Sequence, residues 1–210
     1  MTHKERIVRG SVVSEHILQL FDGADSLGES VAQFLHAGLV DGDACLVVAR
    51  PANVKRILAV LERHGHEPEA LTQSGALTIA DAATTLRAFM WNGSPDRSRF
   101  CGVVGRLVRS LSEGAGGRLS VYGEMVDILA EEGNFRGAGA LEALWNELGA
   151  SVSFKLLCGY ASAHFAAANG GTTLRAVCGH HGRVQRMEAD LLGNWLLDQQ
   201  EPDEVSPLSA

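Results

Sequence analysis

Clustered basic residues are missing from this chain: lysine and arginine total 18 against 25 acidic residues, a formal charge of −7. Neutralising a phosphate backbone needs grouped cations, so no nucleic-acid partner is expected. No apolar run approaches the roughly 18 residues of a membrane span. The charged start, Met1 to Arg6, leads into no apolar core of signal-peptide length. A cytoplasmic protein with no membrane partner is expected. There is no Cys-x-x-Cys pair; Cys45, Cys101, Cys158 and Cys178 are far apart within apolar stretches and read as reduced thiols. Internal repeats and low-complexity blocks are absent as well. Neither a Ser-His-Asp order nor a paired-carboxylate spacing stands out. The reading is therefore of a protein that is not an enzyme and carries no cofactor.

What is there is a globular composition, 46% hydrophobic and 20% charged, enough to bury a core. Five apolar segments have strand character: His16–Phe21, Ala44–Ala49, Ala76–Ala80, Arg118–Tyr122 and Ser153–Cys158. Amphipathic patterns separate them, and strands alternating with helices predict an α/β three-layer sandwich around a mostly parallel sheet of five or more strands. One helix is expected from about Leu27, with Ser26 and Glu29 as a capping box. A second follows Pro51 and ends at Gly65. An apolar stripe runs from Asp96 to Leu111, a short helix covers Met125–Glu132, and a later one carries Leu141, Leu144, Trp145 and Leu148. Thr172–Cys178 is expected to add an edge strand. His180–Leu197 reads as a closing helix with Val184, Met187, Leu191 and Trp195 inward. Residues 1–11 read as an extension, 12–197 as one domain and 198–210 as a disordered acidic tail.

Between the first strand and the first helix lies Gly23-Ala-Asp-Ser-Leu-Gly28-Glu29-Ser30, the spacing of a phosphate-binding loop with Glu29 where lysine belongs. Asp25 and Glu29 would add anions where a triphosphate needs cations. Like charges about 4 Å apart repel by at most about 4 kcal/mol at an effective dielectric near 20. The segment reads either as a degenerate, RecA-like nucleotide loop or as a turn followed by a capped helix. Asp81 after the third strand fits a helix cap better than a metal-binding strand end.

Ligands of open parallel sheets bind beyond the carboxyl ends of the strands. That rule selects Asp22, Arg50, Asp81, Tyr122-Gly123-Glu124, and Tyr160 with His164. Tyr122 and Glu124 together offer an aromatic face, a hydroxyl and a carboxylate, although Glu124 would equally suit a helix start. Trp145 belongs to a helical stripe and fits a core role as well as a ligand role. Glu142 and Asn146, four apart, share a face. His16 inside an apolar strand is either a hydrogen-bonded core histidine or a ligand sensor, and Cys158 a small buried hydrophobe or a site residue. Cys178-Gly-His180-His181 holds metal-binding residue types, but no second cluster completes a tetrahedral set, so no metal site is nominated.

Tyr122-Gly-Glu-Met-Val126, Asn134, and Leu141-Glu-Ala-Leu-Trp-Asn146 resemble the MEDS family, the methanogen/methylotroph DcmR sensory domain. So do His16, Gly38-Leu-Val-Asp-Gly42, Phe154-Lys-Leu-Leu-Cys-Gly-Tyr160, and Cys178 with His180 or His181, in consistent order over about residues 12–185. The resemblance implies kinship with the circadian-clock and RecA group of ATPases without the catalytic loop. It also implies detection of a small molecule such as a hydrocarbon derivative. Signalling would pass through a protein partner, a kinase or transcription regulator, or through homo-oligomerisation. The ligand-binding candidates are His16, Tyr122, Glu124, Trp145, Asn146, Cys158, Tyr160 and His180. Two rival readings are a nucleotide-binding switch that does not hydrolyse and an interaction scaffold with no ligand.

Overall fold

The computed structural model describes residues 14–166 and 170–200. The expected extension at 1–11 lies outside the described residues, as do the last ten of the expected tail. The chain forms β1 (Ser14–Phe21), α1 (Ala24–Asp41), β2 (Ala44–Ala49), α2 (Pro51–Arg63), α3 (Pro68–Ser74) and β3 (Leu77–Asp81). There follow α4 (Ala82–Phe89), a hairpin of β4 (Met90–Trp91) and β5 (Ser94–Pro95), and α5 (Arg97–Phe100). A π-helical stretch, Cys101–Gly105, leads from α5 into α6 (Arg106–Gly114). Then come β6 (Leu119–Gly123), α7 (Met125–Glu131), α8 (Phe135–Gly149) and β7 (Phe154–Ala161). A 3₁₀ turn at Ser162–Phe165 precedes α9 (Gly170–Cys178), β8 (Arg183–Gln185) and α10 (Leu191–Asp198). Among the described residues no helix is long and apolar enough to cross a membrane.

The main sheet has six strands in the order β3-β2-β6-β7-β1-β8, and every pairing in it is parallel. Its central strands are mostly apolar, β2 throughout, because both faces of the sheet are covered. On one face Ile17, Phe21, Cys45, Val47, Tyr122 and Leu157 meet α1 and α2. On the other, Leu18, Leu46, Val121, Leu156, Cys158 and Tyr160 pack against residues of α4 to α10. The result is the expected three-layer sandwich, with one helical layer much larger than the other.

Local chemistry explains most element boundaries. Asp81 caps α4, its carboxylate accepting from Thr84 N–H at 2.7 Å, as anticipated. Asn134 caps α8 by accepting from Gly137 N–H at 2.9 Å, and its amide also donates to Gly93 O at 2.8 Å. Gly93 lies in the β4–β5 turn, where Asn92 and Gly93 both have positive φ (48° and 77°), as a two-residue Asn-Gly hairpin requires.

Three expectations near the ends of elements are corrected. The first helix starts at Ala24 with Gly23 as its N-cap, so Ser26 and Glu29 form no capping box. Thr172–Cys178 is helical, within α9: Leu174 and Val177, three apart, are its buried positions. The edge strand is instead β8, where Arg183, Val184 and Gln185 pair with Ile17, Leu18 and Gln19. Only Leu191–Asp198 of the expected closing helix is helical, and its inward residues are Gly193, Leu196 and Leu197, while Leu191 and Trp195 are exposed. Pairing with β1 overrides the helical spacing of the earlier part.

Candidate functional site

The segment spaced like a phosphate loop contains no loop. Helix α1 begins at Ala24, immediately after the bend at Asp22 and Gly23, so most of the segment is already helical. The Asp22 N–H, just before the N-cap of α1, donates to Asp190 Oδ1 at 2.9 Å. Asp22 in return accepts from Leu192 and Gly193 N–H at 2.7 and 2.9 Å, capping α10. Ser26 also donates to Asp190, and Ser30 to Gln19. Gly28 is a packing position: a Cβ there would lie 3.4 Å from Arg56 Cβ on α2. Glu29 sits on the outer side of α1, paired with Arg63. Glu29 therefore does not occupy the place of a phosphate-binding lysine, and what fills this corner is the bracket of Asp22, Asp190 and α10.

At the carboxyl ends of β2, β6 and β7 lies a charged network. The Glu124 carboxylate accepts from Arg50 N–H at 2.9 Å, from the Arg50 guanidinium, and from Asn53 Nδ2 at 2.8 Å. Arg50 Nη1 also reaches Asp127 at 2.8 Å and Nη2 reaches Glu131 at 2.6 Å. Asp127 ties the network to β7 by accepting from Ala161 N–H at 2.8 Å, and its Oδ1 lies 3.0 Å from His164 Nε2. Burial alone would lower the basicity of Arg50, but Asp127 and Glu124 outweigh it and raise Arg50 above its ordinary range. Burial raises the Glu124 carboxyl more than Arg50 and Asn53 lower it. Glu124 precedes α7 but makes no side-chain cap. Tyr122, expected beside it, packs among residues of α1 and α2 and makes no bond to Glu124; its hydroxyl has no hydrogen-bond partner. Its ring edge runs against Gly159, where a Cβ would come within 3.3 Å of it.

A second polar centre is buried between the sheet and α8. Alternation along β7 puts Cys158 and Tyr160 on the face that carries His16 of β1, while α8 presents Glu142 and Asn146 from one side. His181 enters from the turn between α9 and β8. His16 Nε2 lies 3.1 Å from Glu142 Oε2 and 3.3 Å from Cys158 Sγ. Cys158 Sγ lies 3.4 Å from Glu142 Oε2, and His181 Nε2 lies 3.3 Å from Glu142 Oε1. Tyr160 O–H donates to Glu142 Oε1 at 2.7 Å. One ligand-type atom from each of His16, Glu142, Cys158 and His181 falls within 4.8 Å of every other. No lysine or arginine enters into these contacts.

The histidine tautomers follow from their outer contacts. Asn146 Nδ2 donates to His180 O at 2.8 Å, so its Oδ1 is free to accept from His16 Nδ1–H at 2.9 Å. His181 Nδ1 donates to the Val177 carbonyl at 2.8 Å, since a carbonyl only accepts. Both Nε2 atoms therefore face inward toward Glu142, and each ring, when neutral, presents a lone pair there. Burial would raise the Glu142 carboxyl, but hydrogen bonds and charge from the His16 and His181 rings in their protonated form more than offset this and hold it below the usual range. Burial, reinforced by the Glu142 charge, pushes the Cys158 thiol and the Tyr160 phenol well up.

Of the residues the sequence singled out, His16, Asn146, Cys158 and Tyr160 come together here, and Glu124 lies in the separate Arg50 network. Trp145 is core, packed edge-on against Phe100 and near Phe154. His180 contributes only its carbonyl; the ring that reaches the centre belongs to His181. Cys178 is not among the four clustered residues. Glu142, at the heart of the centre, was visible only as a helical neighbour of Asn146, and Asp127 carried no signal in the sequence.

A family model described as MEDS, the MEthanogen/methylotroph, DcmR Sensory domain, matches residues 15–182. No curated protein matches the chain significantly.

Proposed function

The chain belongs to the MEDS family of sensory domains, and on that premise we propose that it senses a small, compact hydrocarbon derivative and passes the signal to a protein partner without hydrolysing nucleotide. The observation that carries this reading is the buried centre of His16, Glu142, Cys158, Tyr160 and His181, whose members come from β1, α8, β7 and the α9–β8 turn. A small molecule that displaces one contact in such a centre shifts α8 and α9 against a rigid sheet. That converts occupancy into a change at the surface. Thiol, imidazole and carboxylate suit a ligand with one polar group on an apolar body, and Leu156 and Leu141 of the same core favour the rest of it. The signal would go to a kinase or transcription regulator, or to a second copy of the chain, in the cytoplasm.

The nucleotide-switch reading is disfavoured because a further carboxylate, Asp190, is bonded to Asp22 and Ser26 at the start of α1, where a phosphate would need positive charge. The test is a thermal-unfolding screen against short-chain alcohols, carbonyl compounds, amines and halides. A ligand at a hundred times its dissociation constant adds about 2.7 kcal/mol. The expected hit raises Tm in the native protein and not in Cys158→Ala. Stabilisation by magnesium ATP alone, with none by any member of the panel, overturns the reading.

A further inference from the structure

The inward lone pairs of His16 and His181 face a thiol and a carboxylate, and that is the donor set of a metal site. We propose that His16 Nε2, His181 Nε2, Cys158 Sγ and Glu142 bind one divalent, borderline-soft transition-metal ion of the zinc type. This goes beyond the sensory reading and does not depend on it: the ion binds whether or not a small molecule regulates the domain.

Four features converge. The first is ligand chemistry. Two imidazoles, one thiolate and one carboxylate suit zinc and its neighbours, whereas magnesium and calcium take oxygen ligands and have no use for sulfur. The second is geometry. Tetrahedral bonds of about 2.0–2.3 Å put neighbouring ligand atoms about 3.3–3.7 Å apart. Around Glu142 Oε2 the neighbouring atoms are separated by 3.1 Å (His16 Nε2), 3.4 Å (Cys158 Sγ) and 3.3 Å (His16 Nε2 to Cys158 Sγ), while His181 Nε2 lies 3.3 Å from the other carboxylate oxygen, Oε1. The widest separation in the set lies within 4.8 Å.

The third is the outer shell of hydrogen bonds. Metal-bound histidines donate their other ring N–H to a carbonyl or carboxylate, and here Asn146 and Val177 accept from His16 and His181. Glu142 is oriented from its own outer side, where Tyr160 O–H donates to Oε1. The fourth is an otherwise costly feature: the buried His181 Nε2 has only its 3.3 Å approach to Glu142, and among the described residues no arginine or lysine pairs with the fully buried Glu142. A dipositive ion with one thiolate and one carboxylate is a neutral unit, which a core accommodates far better than a lone carboxylate. Binding releases the Cys158 thiol proton to solvent; no electron transfer is involved.

The experiment uses the full chain, stripped with chelator, dialysed and titrated with cobalt(II), with zinc measured separately by elemental analysis. The expected result is one ion per chain, with visible bands of tetrahedral cobalt and an ultraviolet thiolate-to-cobalt band. Cys158→Ser loses the thiolate band, while Cys178→Ser and His180→Ala keep the full spectrum. If Cys158→Ser does not fold, His181→Ala replaces it, with affinity at least about tenfold weaker. A folded native protein that takes up neither cobalt nor zinc overturns the proposal. So does a cobalt spectrum without the thiolate band, or one lost equally in Cys178→Ser. Metal uptake with no response to any small molecule would leave this inference standing and remove the sensory one.

Discussion

Glu124 and Glu142 are both withdrawn entirely from solvent, yet the fold surrounds them with opposite chemistry. Glu124 has a permanent counter-charge in Arg50, a backbone donor and an asparagine amide. Glu142 has two imidazoles, a thiol and a phenol, none of them charged by necessity. The first set is complete within the protein and works as a clamp joining the ends of β2, β6 and β7. The second is complete only when something positive joins it, whether protons on the histidines or an ion between them. Burial and carboxylate identity are the same in both cases. The partners alone separate a structural charge from the centre for which sensing and metal binding are proposed.

The sharpest way to break the comparison is Arg50→Ala. It leaves Glu124 and Asp127 buried without a counter-ion, and breaking such a pair costs about 3 kcal/mol, at the low end because Arg50 is itself partly exposed. Urea unfolding measures it. Glu131→Ala, which removes only the exposed arm of the network, is the control and should cost less than about 0.5 kcal/mol. Equal losses in the two variants would make the clamp a surface feature. Next in size is Tyr160→Phe, which keeps the ring and removes one hydrogen bond to Glu142. A bond to a charged acceptor contributes about 1.5–3 kcal/mol; a change below about 0.5 kcal/mol in the same assay would mean that Glu142 is not ionised in the fold. Asn134→Ala should cost about 1 kcal/mol through the lost α8 cap. Because α8 carries Glu142 and Asn146, amide exchange in its first turn should quicken as well, and unchanged exchange there would disconnect the cap from the site.

Much of the architecture was legible because the buried strands are apolar runs and the helices between them keep their period. The centre was legible only in pieces. Cys158 and Tyr160 alternate on a strand, and Glu142 and Asn146 are four apart on a helix, so each pair announces a shared face. Nothing local says that these two faces meet, or that His181 rather than His180 turns inward. That choice is made by the turn after α9, through the Val177 carbonyl. The phosphate-loop spacing misled for a related reason: glycine spacing does not specify a loop. Gly28 serves helix packing, and the bend before α1 is held by Asp190, which lies 168 positions along the chain from Asp22. Long-range partners decide these sites, and a single sequence carries them only as residue types.

The smallest effect tests the clamp by titration. Burial raises the Glu124 carboxyl above its ordinary value of 4.5 despite Arg50. The folded protein therefore takes up this proton at a higher pH than the unfolded chain does. The stability it contributes is fully present below about 4.5, the unfolded value, and is lost as pH rises through the folded value. Glu124→Gln has no proton to gain there, and the other carboxylates are common to both proteins. The stability of the native protein relative to Glu124→Gln should accordingly improve as pH falls from about 7 toward 4.5, read by urea unfolding at each pH. Arg50 also contacts Asp127 and Glu131, so Glu124 is not its only partner. A relative stability that worsens on acidification would instead make Glu124 an ordinary ion-paired carboxylate, its salt bridge outweighing its burial, and would widen the contrast with Glu142.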